Sequence, residues 1–455
     1  MIIELLLFIL IIGIFIKIII NKPQLSLLLI YLIIMPCLLG IISILYINTG
    51  DYISELNTVT YNNGSGIMYQ LILLPFLLVF YFCLWLNNSK YKLLFKKISS
   101  CKQHAYKLYR YGSIYIFVVI FSLIYLFIDL IVHGIPLFNT GLGLKANYFF
   151  MSSHFPFITL VYSFVCLYSP SVLGFLYIIF SSEKYKFQKS ILKWIIILTL
   201  VYSYMIGFKV SGIISIFFFF FTPITIEKIY FNPLKMNLNV NPKKLFIIVQ
   251  LVLVMGIFIG SILLNYKYTL NNGENTNLWD YLMKRTLGLS NHLIWSVKNY
   301  FDNGYTLSTN EIIKNFSNEI STIFIQPSNT NVNYGVAKLM SYFGDPATVK
   351  WYLQNQTRMG GSFITVFYFN CGPFVTSGIG CLLAIFLEKL IRIYVEALSN
   401  KSIVEIILST KILYSYYAFL WNSGSLSDLF TIGNIIVIIV LFIIQKYRTI
   451  TRGAS

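Results

Sequence analysis

Residues 1–20 read MIIELLLFILIIGIFIKIII, and within them only Glu4 and Lys17 carry a charge. A helix needs about 20 apolar residues to cross the hydrocarbon core of a bilayer, so this stretch predicts a first membrane span. It lacks the basic start and the small-residue cleavage site of a signal peptide, and we therefore expect it to be retained as a span.

The composition of the whole chain extends this prediction. Of the 455 residues, 57% are hydrophobic and only 11% are charged, whereas a soluble protein carries about a quarter charged residues. Disorder is excluded as well, because disordered chains are poor in hydrophobic residues. The net charge of +18 would otherwise suggest nucleic acid, but the hydrophobic background argues against that partner. The sequence predicts an all-α, polytopic integral membrane protein.

Apolar runs of about the required length predict about 11 transmembrane helices, within a range of about 10 to 12. They lie at about 2–20, 25–47, 67–86, 113–132, 157–180, 194–207, 212–226, 245–265, 363–387, 402–421 and 429–445. The runs 194–207 and 212–226 are short and nearly adjacent, which predicts a tilted hairpin or a partly re-entrant pair. Four regions follow: an N-terminal bundle of about eight spans at 1–265, a large loop or cap at 266–361, about three spans at 362–445, and a basic tail at 446–455.

The basic residues are unevenly distributed over the connections. Of the 34 Lys and Arg residues, 23 lie on alternate connections and in the tail. Because cytoplasmic loops are enriched in Lys and Arg, this pattern predicts a cytoplasmic C-terminus. With eleven spans, the N-terminus and the loop 266–361 would lie on the outer face.

The loop 266–361 contains signals for helices. Ser308 and Glu311 have the spacing of a capping box, and Asp345-Pro346 is typical of a helix start. Apolar residues at helical spacing predict a further helix across 277–301. We therefore expect a folded, functional cap.

The sequence contains no P-loop, GxSxG, HExxH or dinucleotide fingerprint. The predicted cytoplasmic loops contain no paired carboxylates that would hold a metal and a nucleotide sugar, which argues against a cytosolic nucleotide-sugar transferase. The cysteines and histidines are scattered, and we predict no metal site and no cofactor. The remaining candidates are cations and polar residues on the outer face.

Four of the charged or titratable candidates are Lys209, Lys145, Arg285 and His292. Lys209 lies between two predicted spans, where an ionisable residue usually has a function, although it could also extend to the lipid headgroups. Lys145 is the only cation of its predicted outer loop, where ordinary solvation is the alternative. Arg285 and His292 are seven residues apart, so one helix face could present both. Arginine binds phosphate oxygens with a planar fork, and a neutral histidine can accept a proton; a solvated face and a packed polar residue are the alternatives.

Arg358 precedes a glycine-rich turn at 359–361, where the loop re-enters the membrane. Such a turn can expose backbone N–H groups at a helix N-terminus and bind an anion. The alternative is a helix start that needs only tight packing. In the predicted tenth span, Lys411 could pair with Asp129 or Glu405, and a buried structural ion pair is the simplest interpretation.

Three segments resemble the Wzy-type O-antigen or oligosaccharide repeat-unit polymerases. They are GIPLF at 134–138, GFKVSG at 207–212, and 361–372, with Gly361-Ser362 followed by Tyr368, Asn370 and Gly372. A layout of many spans with one dominant external loop is also similar. Two positions depart from the family pattern: Lys209 replaces the more common arginine, and Val366 stands where the family often has an acidic residue.

The resemblance implies an enzyme of the bacterial cytoplasmic (inner) membrane that joins undecaprenyl-pyrophosphate-linked repeat units at the outer face. A sugar hydroxyl of one unit attacks the anomeric carbon of the growing chain, and the lipid pyrophosphate leaves. The implied partners are this lipid-linked oligosaccharide, membrane lipids, and a chain-length regulator and flippase of the same pathway. An O-antigen ligase and a lipid-linked oligosaccharide flippase or transporter are the alternatives.

With this chemistry in view, preorganised cations would stabilise the departing pyrophosphate. The predicted catalytic residues are Arg285, His292 and Arg358, and the predicted pyrophosphate-binding or substrate-binding residues are Lys145, Lys209, Ser362, Tyr368 and Asn370. Aromatic residues of the loop, such as Trp295, Tyr305 and Tyr334, could stack on sugar rings, although Trp and Tyr of membrane proteins more often mark the interface with water.

Overall fold

The computed structural model describes residues 2–99, 106–136, 148–180, 185–206, 210–231, 291–324, 334–354 and 358–453. In chain order its elements are α1 (Ile2–Asn21), α2 (Pro23–Ile47), β1 (Tyr52–Ile53), β2 (Thr58–Val59), α3 (Ser65–Leu86), α4 (Asn88–Ser99), α5 (Tyr106–His133), α6 (Ile158–Ile179), α7 (Lys186–Met205), α8 (Val210–Phe231), α9 (Leu293–Asp302), α10 (Thr309–Phe324), α11 (Gly335–Phe343), α12 (Pro346–Gln354), α13 (Phe363–Ser399), α14 (Ile403–Ser423), α15 (Leu426–Leu429) and α16 (Ile432–Gly453). The strands β1 and β2 form a small antiparallel hairpin that the sequence did not predict.

Within the described residues, eight helices are long and apolar enough to cross a membrane. They are α1, α2, α3, α5, α6, α8, α13 and α14. The predicted class, an all-α membrane protein, is therefore confirmed. The predicted spans 194–207 and 429–445 fall largely in the helices α7 and α16, and 245–265 lies outside the described residues.

The helices α7 and α8 are longer than predicted. They contain 20 and 22 residues, or roughly 30 Å each at 1.5 Å per residue, so neither is a short segment. The helix α7 begins at Lys186, within a basic stretch that an apolar-run criterion excludes. Lysine is a good helix former, so the helix extends beyond the apolar run.

The helix α13 is also longer than the predicted span 363–387, and it is broken. Its 37 residues include Gly372, which has φ 74° and ψ 176° and is followed by Pro373. Such a backbone conformation is essentially restricted to glycine, and proline lacks the N–H that a continuous helix requires. The first part, 363–371, is buried from Phe363 to Asn370 and contains most of the third resemblance segment.

The helices α9 to α12 and their described connections, here called the cap, lie at one end of the bundle with the β hairpin. The Asp345 N–H donates to the Glu55 carbonyl at 2.9 Å, and Asn63, just before α3, donates to the Trp295 carbonyl at 3.0 Å. We call this end the cap end.

The opposite end is marked by α4. Arg392, in the second part of α13, donates to Asn87 at 2.8 Å, and Lys22 donates to Asn88 at 2.6 Å. The chain therefore leaves the cap end in α3, turns at α4 and returns in α5. His133, the last residue of α5, lies at the cap end.

Two of the predicted helix starts in the cap are confirmed. The Ser308 N–H donates to the Glu311 carboxylate at 2.8 Å, and the Glu311 N–H donates to Ser308 Oγ at 3.3 Å. Asp345 accepts from the Thr348 N–H at 2.9 Å at the start of α12. The predicted helix across 277–301 is described only from 291 onward, where α9 begins at Leu293.

Candidate functional site

A polar pocket at the cap end joins α10, α11 and the buried first part of α13. Its cavity of about 10 Å³ has room for about one water molecule and is lined by Asn315, Glu319, Tyr334, Gly335, Lys338, Leu339, Val366, Phe369 and Asn370. We call it the polar pocket. Of the predicted site residues in the described part of the chain, Asn370 lines it directly.

A chain of hydrogen bonds holds a cation in the polar pocket. Lys338 donates to Asn315 Oδ1, and Asn315 Nδ2 donates to Asn370 Oδ1 at 2.7 Å. The Lys338 ammonium also lies 5.9 Å from the centre of the Phe369 ring. Burial lowers the pKa of Lys338. Lys338 is therefore a positioned, partly desolvated cation, of the kind that binds anionic ligands strongly.

A second cation lies at the rim of the polar pocket. The Arg358 guanidinium donates to Tyr334 Oη at 2.7 Å, and its Cζ lies 5.1 Å from the centre of the same ring. Tyr334 is buried, and burial raises its pKa although Arg358 opposes the shift. Arg358 itself is exposed, so this contact orients an arginine that remains accessible to a ligand.

Glu319 ties the pocket walls together. Its carboxylate accepts from the Gly335 N–H, from Ser425 Oγ at 2.9 Å and from the Leu426 N–H at 3.1 Å. It lines the same pocket as Val366, the position where the resembled family often has an acidic residue. A carboxylate is thus present beside Val366, but it comes from α10 and is engaged by three donors.

The stability of the cap should depend on pH through Glu319. Burial raises the pKa of this carboxyl above its usual 4.5, so the folded cap binds the proton more tightly than the unfolded chain does. The resulting stabilisation is complete below pH 4.5 and is lost as the pH rises through the raised pKa. We expect proteolysis of the cap to slow as the pH is lowered through this window, and Glu319→Gln to remove the dependence.

Glu311 provides the matched control on the same helix. The Ser308 backbone N–H and hydroxyl hold the pKa of Glu311 below 4.5, so its contribution changes only at lower pH. In Glu311→Gln, proteolysis of the cap should vary with pH above 4.5 as it does in the wild type. If proteolysis of the cap in Glu319→Gln still varied with pH as in the wild type, another group would control this pH dependence.

His292, the predicted base, lies in a different cluster. Its Nε2 is 2.9 Å from Glu55 Oε2, and the side chain is completely buried. Tyr352 donates to the other oxygen of Glu55. A base must reach the substrate hydroxyl, and a fully buried imidazole does not. The structure therefore favours the alternative interpretation, in which His292 is a packed polar residue that joins the cap to the β hairpin.

Ser362 and Tyr368 do not line the polar pocket. Ser362 is buried, lies 3.4 Å from Thr365 Oγ1 and is hydrogen-bonded to Tyr69. The Tyr368 ring packs against Phe301, with 5.3 Å between centres. Both side chains hold the first part of α13 in place, and the prediction that they bind substrate finds no support in their contacts.

The glycine-rich turn packs closely against α11. A Cβ at Gly361 would lie 2.6 Å from a methyl group of Val336. This contact agrees with the alternative, a helix start that needs tight packing, and the predicted anion site stays a prediction. Lys145, Lys209 and Arg285 lie outside the described residues, so their predicted roles stay predictions.

Sequence reasoning missed Lys338, Asn315 and Glu319. A signal was present, because Glu311, Asn315 and Glu319 recur at intervals of four and share one face of α10, as Tyr334 and Lys338 do around α11. The sequence did not single them out because nothing in it places that face against α13.

An open groove of about 270 Å³ adjoins the polar pocket. It is lined by Leu56, Thr58, Trp295, Ser296, Asn299, Tyr300, Asn303, Tyr305 and Phe343, and we call it the aromatic groove. Tyr300 lies 5.8 Å from Phe343 and 5.8 Å from Phe369, between ring centres. One layer of aromatic rings therefore separates the groove from the pocket.

Asp129 does not form the predicted contact with Lys411 in the described structure. It is completely buried near the end of α5, where Tyr148 Oη and Ser153 Oγ each donate to it at 2.7 Å. His133 Nδ1 lies 2.9 Å from the same carboxylate. This cluster is separate from the residues that line the polar pocket.

The fold and these sites define an all-α, multi-pass membrane protein with a folded cap, a cation-containing pocket and an adjoining aromatic groove. The sequence profile of a family of unknown function (DUF6418) matches residues 329–438, about a quarter of the chain. The match includes Tyr334, Lys338, Arg358 and Asn370, whereas Asn315 and Glu319 lie before it. No curated protein and no solved structure matches the chain.

Proposed function

We propose that the protein is a polymerase that joins undecaprenyl-pyrophosphate-linked oligosaccharide repeat units at the outer face of the bacterial cytoplasmic membrane. An acceptor sugar hydroxyl attacks the anomeric carbon of the lipid-linked chain, and undecaprenyl pyrophosphate leaves. The observation that carries this proposal is the polar pocket with its two cations, placed one aromatic layer from the aromatic groove.

The cations suit the leaving group. Departure of the pyrophosphate concentrates negative charge, and positioned donors in a site of low dielectric constant stabilise such charge most effectively. Lys338 is held by Asn315, and Arg358 is held by Tyr334. The pyrophosphate leaving group already carries the activation energy, so the reaction needs no nucleotide outside the cell.

The aromatic groove suits a sugar chain. Aromatic faces pack against the apolar C–H faces of sugar rings, and amide and hydroxyl groups pair with sugar hydroxyls. The groove supplies both kinds of group, including Tyr300, Tyr305, Asn299 and Asn303. The groove extends along α9 from Ser296 to Asn303, which provides room for a sugar near Lys338 and Arg358.

The charge distribution supports an orientation in which the cap faces outward. Lys22 and Arg392 lie at the end opposite the cap, together with the connection that carries Lys90, Lys92, Lys96 and Lys97. Under the positive-inside rule that end faces the cytoplasm. The cap, the polar pocket and the aromatic groove then face outward, where flipped repeat units are present.

Deletion of the gene, followed by gel analysis of the surface polysaccharide, tests this proposal. A polymerase loss leaves a product with a single repeat unit on its final carrier, because export and transfer still operate. Complementation with the wild-type gene should restore the ladder. Loss of the repeat unit from the surface altogether would instead indicate a ligase or a flippase.

The broken helix α13 favours one second candidate, a lipid-linked oligosaccharide flippase. Discontinuous membrane helices such as the one interrupted at Gly372-Pro373 line substrate sites in many transporters. The deletion gel separates the two functions, since a missing flippase leaves repeat units inside the cell. The folded cap and its polar pocket favour the polymerase over the flippase.

A further inference from the structure

The proposed transfer requires a group that accepts the proton of the attacking hydroxyl. Within the described residues, two obvious candidates are already engaged. His292 is completely buried against Glu55, and the Glu319 carboxylate accepts three hydrogen bonds. The other described histidines, His133 and His154, lie together at the cap end, with 5.7 Å between ring centres.

His133 is the one of these two that is bound to a carboxylate. Asp129, one helical turn earlier, is completely buried, and its Oδ1 lies 2.9 Å from His133 Nδ1. Tyr148 Oη donates to Oδ2 and Ser153 Oγ donates to Oδ1, each at 2.7 Å. Tyr148 and Ser153 lie between α5 and α6, so residues outside α5 also hold the Asp129 carboxylate in place.

The contacts of His133 fix which ring nitrogen carries the proton. Nδ1 lies 2.9 Å from Asp129 Oδ1 and 3.2 Å from the Asp129 backbone carbonyl oxygen. Both of these atoms act as acceptors, so Nδ1 carries the hydrogen. In the neutral ring Nε2 then presents a lone pair, which is the form a base requires.

The solvent exposure of His133 and Asp129 is also suited to proton transfer. The His133 side chain is 16% exposed, whereas Asp129 is fully buried. A buried carboxylate behind a partly exposed imidazole holds the ring in one orientation and stabilises the imidazolium that forms when the ring takes a proton. The pair lies at the end of the bundle that also carries the polar pocket.

We propose that His133 accepts the proton of the acceptor sugar hydroxyl and that Asp129 is its positioning residue. This proposal rests on the proposed polymerase function. The hydroxyl oxygen forms the new bond to the anomeric carbon, the bond from that carbon to the pyrophosphate oxygen breaks, and the leaving group takes the electron pair. The proton moves to His133 Nε2 and then to water.

The titratable groups described near His133 lie on several elements. Asp129 and Tyr125 lie on α5, and the facing residues on other elements are Tyr148, His154 and Tyr202. Burial and the adjacent Asp129 raise the pKa of Tyr148, so this phenol stays protonated and continues to donate. His154 is the other histidine of this cluster.

The test measures polymer formation by purified protein in vesicles, supplied with undecaprenyl-pyrophosphate-linked repeat units from a strain that lacks the gene. We expect His133→Gln to lower kcat/KM by about 10²-fold and to abolish the rise of kcat/KM with pH on its acidic side. His154→Gln is the matched control and should keep both the rate and the pH profile. Imidazole added to His133→Ala should restore part of the activity.

Asp129→Asn should also lower the rate, because an amide no longer fixes the proton on Nδ1. If His133→Gln retains wild-type kcat/KM, or if its loss is matched by a loss of folded protein and imidazole restores nothing, the dyad assignment is wrong. The proposed function is judged separately by the wild-type protein in the same vesicles, since an inactive wild type contradicts the polymerase and an active His133→Gln contradicts only the dyad.

Discussion

Replacing Lys338 or Arg358 with alanine should each reduce polymer formation by about 10²–10³-fold, the usual effect of losing one preorganised donor to a developing anion. Lys338 is held by Asn315 inside the polar pocket, and Arg358 is held at its rim by Tyr334. The protein should still reach the membrane in normal amount, because Arg358 is exposed and Lys338 is only partly buried. A gel of the surface polysaccharide and the rate in vesicles both measure the loss.

Lys350→Ala is the matched control for these variants, since Lys350 is an exposed cation of the same cap on α12. It should retain the full ladder. Arg358→Lys should recover only part of the activity, because lysine lacks the planar fork that stacks on Tyr334. Full ladders from both alanine variants would show that Lys338 and Arg358 do not bind the pyrophosphate.

Gly372→Ala should disrupt the folded protein and its activity together. Gly372 has φ 74° and ψ 176°, a conformation that costs a residue with a Cβ about 1–3 kcal/mol. The helix can avoid this strain only by moving the first part of α13, which carries Asn370. The hydrogen bond from Asn315 to Asn370, at 2.7 Å, would then be lost. We expect a lower thermal midpoint and a strongly shortened ladder.

The same substitution at Gly378 separates backbone strain from crowding. At both glycines an added Cβ would meet no atom within 4 Å, but only Gly372 has a positive φ. Gly378→Ala should therefore behave as wild type. Equal effects at the two positions would mean that the break in α13 has no special role.

The class of the fold follows from the sequence for a simple reason. A membrane span requires a long local run of apolar residues, and such runs can be recognised without tertiary information. Apolar runs alone gave the wrong helix ends where tertiary context decides them. The helix α7 begins within the basic residues at Lys186, and α13 continues through Lys389 and Arg392 to Ser399.

The site was less predictable because it depends on contacts between distant segments. The motif similarity singled out Asn370, which lines the polar pocket, and the glycine-rich turn singled out Arg358, which contacts Tyr334 at its rim. It could not show that Ser362 is buried beside Tyr69, nor that His292 is enclosed by Glu55. Lys338 was overlooked because its partner, Asn315, is 23 residues away in sequence.

The most direct test of the central claim uses purified protein in vesicles with undecaprenyl-pyrophosphate-linked repeat units and no other enzyme. The proposed function predicts a ladder of longer lipid-linked chains, with one undecaprenyl pyrophosphate released for each new linkage. Lys338→Ala should form almost none, and Lys350→Ala should match the wild type. Repeat units that remain single in the presence of folded wild-type protein would contradict the proposed polymerase.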